Sequence, residues 1–498
     1  MLQRLLIDPI RSTTPSLTIA LTIAALIAIG TPLAAQSDGP DVIVGSIPDV
    51  ANYTAVGGID AFAIGTSSCN VGDEPLDWVS STEAHPVIAQ QMYRLQGDRF
   101  EQVGLSWLKH GFFALQQSLC EPCSPHPNGT ALGVGCSDPY TAPLNGSQGG
   151  LTPRSVANPT DGSHDDSTTS PPFSSSIDRR LQVAGDDLDA DLNEDALYFV
   201  EGQYLAADDD LAGNENNNAS YRPVLISTAP GAHNYTASLS GPTVQELPAI
   251  YAWQTENPEV GIETIDVDAD GRFHVAFLAI DNEDGTWRYE YAVHNLNSGR
   301  AGGAFEVPIP LGAEVTEIGF HDVDYHSGED HDGTDWVVTE TDTTLRWETA
   351  DSFDDDPEAN ALRWGTLYNF RFVCDRAPAE VVASLGLFAP DADDENDPVD
   401  VTVVGPADGF LRGDGNGDGA LSLSDAVVAL EWLFLSQPLG CIDAADFDDD
   451  GNAGLADVVQ LTSHLFLNGP PPAPPSEACG VDPTDDTLSC DDPGSSCE

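Results

Sequence analysis

The sequence predicts a multidomain chain: a mixed α/β N-terminal domain, a middle domain that is mainly an antiparallel β-sandwich, and a small α-helical C-terminal domain. Three observations predict it. Helix-like apolar spacing occurs in the N-terminal third. Short alternating segments joined by Asp-Gly turns fill the middle. Near the C-terminus two acidic twelve-residue loops repeat, each followed by an apolar-periodic segment. At 498 residues the chain is long enough for several domains with cores of their own.

The first segment, residues 1–35, reads as an export signal: Arg4 and Arg11 carry positive charge, Leu17 to Gly30 is apolar, and Ala34 and Ala35 precede a cleavage point before Gln36. The apolar run is short for a bilayer span, so no membrane association is expected once it is removed, and the mature chain is expected outside the cell or at its surface. Charge agrees with an exposed life in a salty or calcium-bearing medium. Seventeen basic residues face eighty-two acidic ones, for a net of −65. Such a surface excludes nucleic acid as a partner, because counterion release needs clustered Lys and Arg.

Nine cysteines fall in two groups of four, Cys69, Cys120, Cys123, Cys136 and Cys441, Cys479, Cys490, Cys497, with Cys374 between them. Two disulfides at each end are expected for an exported chain, with the pairing open and Cys374 left over. The Cys120/Cys123 spacing also allows half a zinc site, which no second CxxC completes.

Residues 36–155 form the mixed domain, with helical spacing over Val87 to Leu95 and Leu105 to Leu119. Residues 156–178, rich in Ser, Thr, Pro and Asp, read as a linker. In the sandwich domain, residues 179–388, the segments IETIDVD, RFHVAFLAI and TWRYEYAVHN alternate and are joined at Asp270-Gly271 and Asp284-Gly285. Further strands are expected at Ala304 to Ile309, Val315 to Phe320, Thr334 to Glu340 and Tyr368 to Val373. Residues 389–407 read as an acidic linker, 408–470 as the helical domain, and 471–498 as a Pro- and Cys-rich tail.

The two loops carry the clearest chemistry. Residues 414 to 425 (DGNGDGALSLSD) and 446 to 457 (DFDDDGNAGLAD) place oxygen donors at positions 1, 3, 5 and 12 and Gly at position 6. That is the spacing of a loop wrapped round one calcium ion, a hard cation that takes six to eight oxygens. The ligands expected for two ions are Asp414, Asn416, Asp418, the Ala420 carbonyl and Asp425, then Asp446, Asp448, Asp450, the Asn452 carbonyl and Asp457. The duplication continues into the following helices, where Val427, Leu433, Phe434 and Leu435 match Val459, Leu465, Phe466 and Leu467. Each stripe is expected to pack against its twin. A unit of this size buries little apolar surface, and calcium at ~1,000 times its dissociation constant would add about 4 kcal/mol.

This duplicated loop-helix pattern, with Asp at position 12, resembles the dockerin family over about residues 408 to 470. The resemblance implies two calcium-loop helices related by a pseudo-twofold, and calcium-dependent docking on a cohesin-like domain or on a partner within the chain. Many dockerins carry Ser-Thr at loop positions 10 and 11, whereas these positions are Leu423-Ser424 and Leu455-Ala456 here. The chain also resembles uncharacterised exported proteins of planctomycete-type bacteria, which often end in RGDxNxDG repeats and a CGxDPTxDxLxC tail, here Cys479 to Cys490.

In the larger part, Lys109 is the only lysine of the chain. It can pair with a buried carboxylate, bind an anionic group or act as a nucleophile. With His110 and His85 it forms a weak catalytic candidate, and His85, His110 and Asp138 could converge on a metal. His321, Asp322, Asp324, His326 and His331 form a second acidic, histidine-bearing loop, and Asp266, Asp268 and Asp270 begin like a third calcium loop but read better as a hairpin turn. The function expected is assembly through the C-terminal module, with the body a binding or structural module. The alternative is a carbohydrate-active hydrolase of polysaccharides delivered by that module.

Overall fold

Short segments bounded by Gly and Asp satisfy their backbone groups only by pairing with one another, and the strand ladders of the computed structural model are antiparallel throughout. The structure describes residues 37–498 except 81, 111, 148–152, 165–173, 229–234, 392–397, 477–478, 483, 485–487, 489, 491–496 and 498. The segment read as an export signal lies outside the described residues. No described helix is long and apolar enough to cross a membrane.

The N-terminal body is a nine-stranded sheet. Its path runs Tyr235–Leu239, Ala219–Thr228, Leu197–Leu205, Val87–Gln96, Arg99–Leu105, Leu181–Ala184, Ile59–Ile64 and Val50–Val56, with Lys109–His110 pairing off the path on Val87–Gln96. Asn52 ties the two ends of the path together, giving its Nδ2 to the Ala237 carbonyl (3.1 Å) and taking the Ala237 N–H (2.7 Å) on Oδ1. A three-stranded sheet, Val42–Ser46, Thr66–Asn70 and Ser137–Tyr140, covers one face. Val44, Phe62, Ile64, Met92, Val200 and Tyr204 fill the core between them.

Three expectations are corrected here. Val87 to Leu95 is a strand, not a helix. It is the sheet's central strand and is buried on both faces, so it lacks the alternation that identifies a strand. Gln90, at 0% exposure, is accommodated because its amide pairs with the Ile64 carbonyl (3.0 Å) and N–H (3.1 Å). Leu105 to Leu119 is likewise not a helix: it holds a strand end, the two-residue strand Lys109–His110 and an irregular loop with Phe112, Phe113, Leu115 and Leu119 exposed. The mixed α/β reading of residues 36–155 thus gives way to a β body. The stretch 156–178 does not separate two sheets, because Leu181–Ala184 returns to pair with both Ile59–Ile64 and Arg99–Leu105.

Beyond it stands a sandwich of two five-stranded sheets. One is ordered Gly261–Asp266, Arg272–Asp281, Trp287–Asn295, Thr366–Cys374, Val315–His321; the other Val337–Glu340, Thr344–Glu348, Gly302–Pro308, Pro378–Leu387, Val399–Pro406. Both Asp-Gly hairpins lie where the sequence places them. Phe273, Tyr291, Phe305, Trp347, Phe370 and Phe372 interdigitate between the sheets. The acidic stretch 389–407 is only partly a connection, since Val399–Pro406 pairs along its whole length with residues Pro378 to Leu385.

The nine-stranded sheet and the sandwich share a third core of Tyr93, Phe100, Phe199, Trp253, Ala276 and Leu278. Arg99 bridges it to Glu290 (2.9 Å), and Gln102 accepts the Leu367 N–H (2.7 Å). After the last strand come two thirteen-residue helices, Leu423–Leu435 and Leu455–Leu467.

Candidate metal centre

Each C-terminal loop turns back on itself around its first aspartate. Gly419 and Gly451 stand at φ +81° and +78°, a region that glycine enters without strain. Their N–H groups then point at Oδ2 of Asp414 (2.7 Å) and Asp446 (2.8 Å). Oδ1 of the same carboxylates accepts from Asp418 N (3.1 Å) and Asp450 N (3.3 Å). The last loop residue opens the helix: Asp425 Oδ2 accepts from Ser422 N (2.7 Å), Asp457 Oδ2 from Gly454 N (2.8 Å). The helices end alike, at Ser436 and Asn468, both with φ 53°. The duplication therefore extends from residue types to individual hydrogen bonds.

The second loop gathers its carboxylates most tightly. Single oxygens of Asp446, Asp448 and Asp457 lie within 4.8 Å of one another, an arrangement able to hold a metal ion. In the first loop Asn416 replaces the carboxylate at position 3 and donates to Asp418 (3.1 Å) and Ser424 (3.1 Å). Ala420 N rests on Asp418 Oδ1 (3.1 Å), and the Asn452 side chain on the Asp450 carbonyl (3.2 Å). Burial raises the pKa of Asp425 and of Asp457, and the neighbouring Asp414 and Asp446 charges add to it. A hard cation would relieve that repulsion.

A second acidic cluster, Asp443, Asp446 and Asp449, already has its cation. Arg412, fully buried, reaches Asp443 (2.9 Å), Asp449 (3.0 Å) and Asp482 (2.5 Å) and donates to the Asp446 carbonyl (2.8 Å). One arginine thus joins the entry of the first loop, the second loop and the tail. It was missed in the sequence, although an arginine abutting the loop in so base-poor a chain is a signal.

The helices meet through a stripe other than the one expected. Ala426, Ala429, Leu430 and Leu433 face Val458, Leu461 and Leu465. Of the pairs read from the sequence only Leu433/Leu465 takes part. Val427, Phe434 and Leu435 are 45–66% exposed and Val459, Phe466 and Leu467 58–78%. Alanine at 426 and 429 lets the backbones approach, and the larger side chains are left outside.

The four disulfides are Cys69–Cys120, Cys123–Cys136, Cys441–Cys490 and Cys479–Cys497, with Cys374 free and buried. Cys120 and Cys123 enter different bridges, which removes the zinc half-site.

Lys109, His85 and Asp138 each meet backbone partners of their own. Lys109 is 1% exposed and donates from Nζ to the Arg179 carbonyl. Burial, then the charges of Arg179, Arg180 and Arg154, hold its pKa well below the usual lysine value. The His85 ring bridges the carbonyls of Pro86 (2.8 Å) and Phe112 (3.1 Å), while Asp138 accepts the Leu115 N–H (2.8 Å) and is raised by burial to about 6. Both residues thereby fix the exposed 112–115 loop. The His110 backbone pairs with Val87. In the other histidine loop, His321 meets the Gln102 carbonyl, Asp322 meets Asn360, His326 lies tilted against Trp107, and His331 pairs with Glu358. These point in different directions. Asp270 caps the 298–300 turn and Asp266 pairs with Arg272, as a hairpin requires.

Between the two β bodies lies a cavity of about 110 Å³ lined by Arg154, Tyr325, Glu329, His331, Arg363 and Trp364 among others. Glu329 is the carboxylate in that lining, and its two oxygens accept the N–H groups of Arg154 (2.7 Å) and Ser155 (3.2 Å). Among the described residues the lining holds no facing pair of carboxylates, as glycoside hydrolysis needs.

No family model matches the chain, and no curated protein matches it. Among solved structures, the N-terminal domain of a Streptococcus gordonii adhesin aligns with 74% of this chain and 96% of its own, at 8% identity and a TM-score of 0.16. A likeness that weak carries no argument.

Proposed function

We propose that the chain is an exported modular protein whose β body binds or builds structure outside the cell. Its C-terminal pair of loop-helix units forms a dockerin-like module that takes up two calcium ions and then docks on a cohesin-like protein domain. The observation that carries this reading is the repetition of one hydrogen-bond pattern in both loops: a first aspartate cradled by the position-6 glycine, and a last aspartate that caps the helix. Two further features support it. The four disulfides suit an oxidising compartment. The helices also leave the sequence-matched apolar residues Val427 and Val459, Phe434 and Phe466, and Leu435 and Leu467 open to solvent.

Hydrogen exchange on the full chain tests the metal reading. Amides of Leu423–Leu435 and Leu455–Leu467 should exchange at least ~10-fold more slowly with calcium than with chelator. Equal protection in the two conditions would sink it. Docking is tested separately, by capture of the calcium-loaded chain on immobilised cohesin domains and its release by chelator.

A further inference from the structure

Two arginines, Arg154 and Arg363, line the cavity in the joint between the β bodies. Arg154 is 5% exposed, and its guanidinium donates to backbone carbonyls alone: Ser106 (2.8 Å), Gln90 (2.9 Å) and Gly365 (3.3 Å). These bonds leave guanidinium N–H groups to spare. Gly365 makes the room, since a Cβ there would run into Arg154 Nη1. Arg363 gives Nη2 to the Pro357 (2.6 Å) and Ala359 (3.0 Å) carbonyls, and its Nε is buried with no hydrogen-bond partner. Neither arginine forms an ion pair among the described residues, although Arg94, Arg99, Arg346, Arg376 and Arg412 each find a carboxylate. In a chain with eighty-two acidic residues against seventeen basic ones, two such arginines on one wall are a signal.

The rest of the lining says what kind of anion fits. Glu329 is committed, its oxygens holding the Arg154 and Ser155 N–H groups, and His331 pairs with Glu358. The hydroxyls of Tyr325, Ser298 and Thr366 all bond within the protein. That leaves the guanidinium groups as the donors. Leu105, Ala157, Pro159, Ala301 and Trp364 supply apolar wall, and the Arg154 guanidinium lies over the Trp364 ring, 5.3 Å from its centre. Apolar wall beside a cation suits a carbon skeleton with one anionic end better than a hydrated inorganic ion. The volume of about 110 Å³ sets the size, well under the ~300–1,000 Å³ of pockets for drug-sized ligands. A planar guanidinium matches a carboxylate through parallel N–H bonds. Burial lowers Arg154 to about 10, and Glu329, Tyr93 and Glu201 offset only part of that, so its charge gains from a further anion.

We propose that this cavity binds a small organic monocarboxylate, an acid of a few carbon atoms. Arg154 takes the carboxylate, Arg363 adds further N–H donors, and the apolar wall covers the carbon chain. The site is separate from the C-terminal loops and does not depend on the reading of them. Bound there, the acid ties the segment 154–159 to the 363–366 turn of the sandwich.

The test uses the full chain, with sodium acetate, lactate and pyruvate as probes at an ionic strength held constant by sodium chloride. Calorimetric titration should give one ion per chain for at least one of the three acids. At ~100 times its dissociation constant that acid should raise the thermal unfolding midpoint by at least ~2 °C. Arg154→Gln should abolish both effects, and Arg363→Gln should weaken binding at least ~10-fold. Ala157→Leu fills the cavity and leaves both arginines in place, so it should abolish binding too, and it serves as the test should Arg154→Gln not fold. Arginines that only brace the joint would instead lower the midpoint when replaced, with no response to any acid in the wild type. No saturable binding of the three acids, binding unchanged in Arg363→Gln and Ala157→Leu alike, or sodium sulfate binding as tightly as the best acid would each overturn the proposal.

Discussion

Arg412 ties several segments of the C-terminal structure together through one side chain. Its guanidinium is 0% exposed and answers three aspartates, so its removal leaves carboxylates buried without compensation. Replacing it with methionine should cost about 3–5 kcal/mol and loosen both loops together. Thermal unfolding followed at the helices checks this; an unchanged midpoint would mean that the tail does not depend on the hub. Lys109 predicts the opposite sign. With its pKa held well below the usual value, the folded state binds this proton less readily than the unfolded chain does. Stability is then lost as pH falls below the unfolded lysine value, and it should rise between pH 7 and 10. Lys109→Met should flatten that rise, leaving the variant level with or above the wild type at pH 7. A steep loss at neutral pH would instead show that the charged ammonium is required.

At the scale of single elements, legibility followed how many faces a segment buries. The hairpins at Asp270-Gly271 and Asp284-Gly285 join strands whose partners are their neighbours in sequence, so local pattern and turn chemistry suffice. Val87–Gln96 is covered on both sides, and its apolar run with central glutamines carries no period to read. Leu181–Ala184 pairs with strands far away in sequence, which no local signal announces. The loops were legible because a repeat compares the chain with itself. The helix faces were not, because leucine, valine and phenylalanine occur all round both helices, and only three-dimensional approach selects the alanine side. That distinction is testable. Leu461→Ala, in the helix–helix contact, should cost about 2–4 kcal/mol. Phe434→Ser with Phe466→Ser, both about two-thirds exposed, should leave stability within about 0.5 kcal/mol while weakening any docking through that face. Loss of folding in the double variant would place those rings in a core instead.

At the scale of the whole molecule, the joint between the nine-stranded sheet and the sandwich decides how the body responds to acid. His274 and His294 lie opposite each other on neighbouring strands, their rings stacked 6.2 Å apart. His294 is completely buried, and neither ring nitrogen has a hydrogen-bond partner. Burial lowers His274 to about 4 and holds His294 well below the ordinary histidine value, with His274, Arg272 and Arg154 adding like charge. Both are therefore neutral when folded. The unfolded chain takes up their protons from about pH 6.5 downward, so their contribution is complete above that pH and is withdrawn as pH falls toward 4. Glu201, in the same joint, runs the other way. Burial raises it to about 7, so the folded state gains stability as pH drops from there to the unfolded glutamate value. The opposing slopes partly cancel in the wild type and must be read by difference. His294→Phe should gain on the wild type progressively between pH 6.5 and 4, in unfolding midpoints taken at each pH. Glu201→Gln should fall behind progressively over the upper part of that range. An advantage of His294→Phe that stays constant with pH would show that the ring is protonated and paired when folded, and the joint would then not sense acid through it.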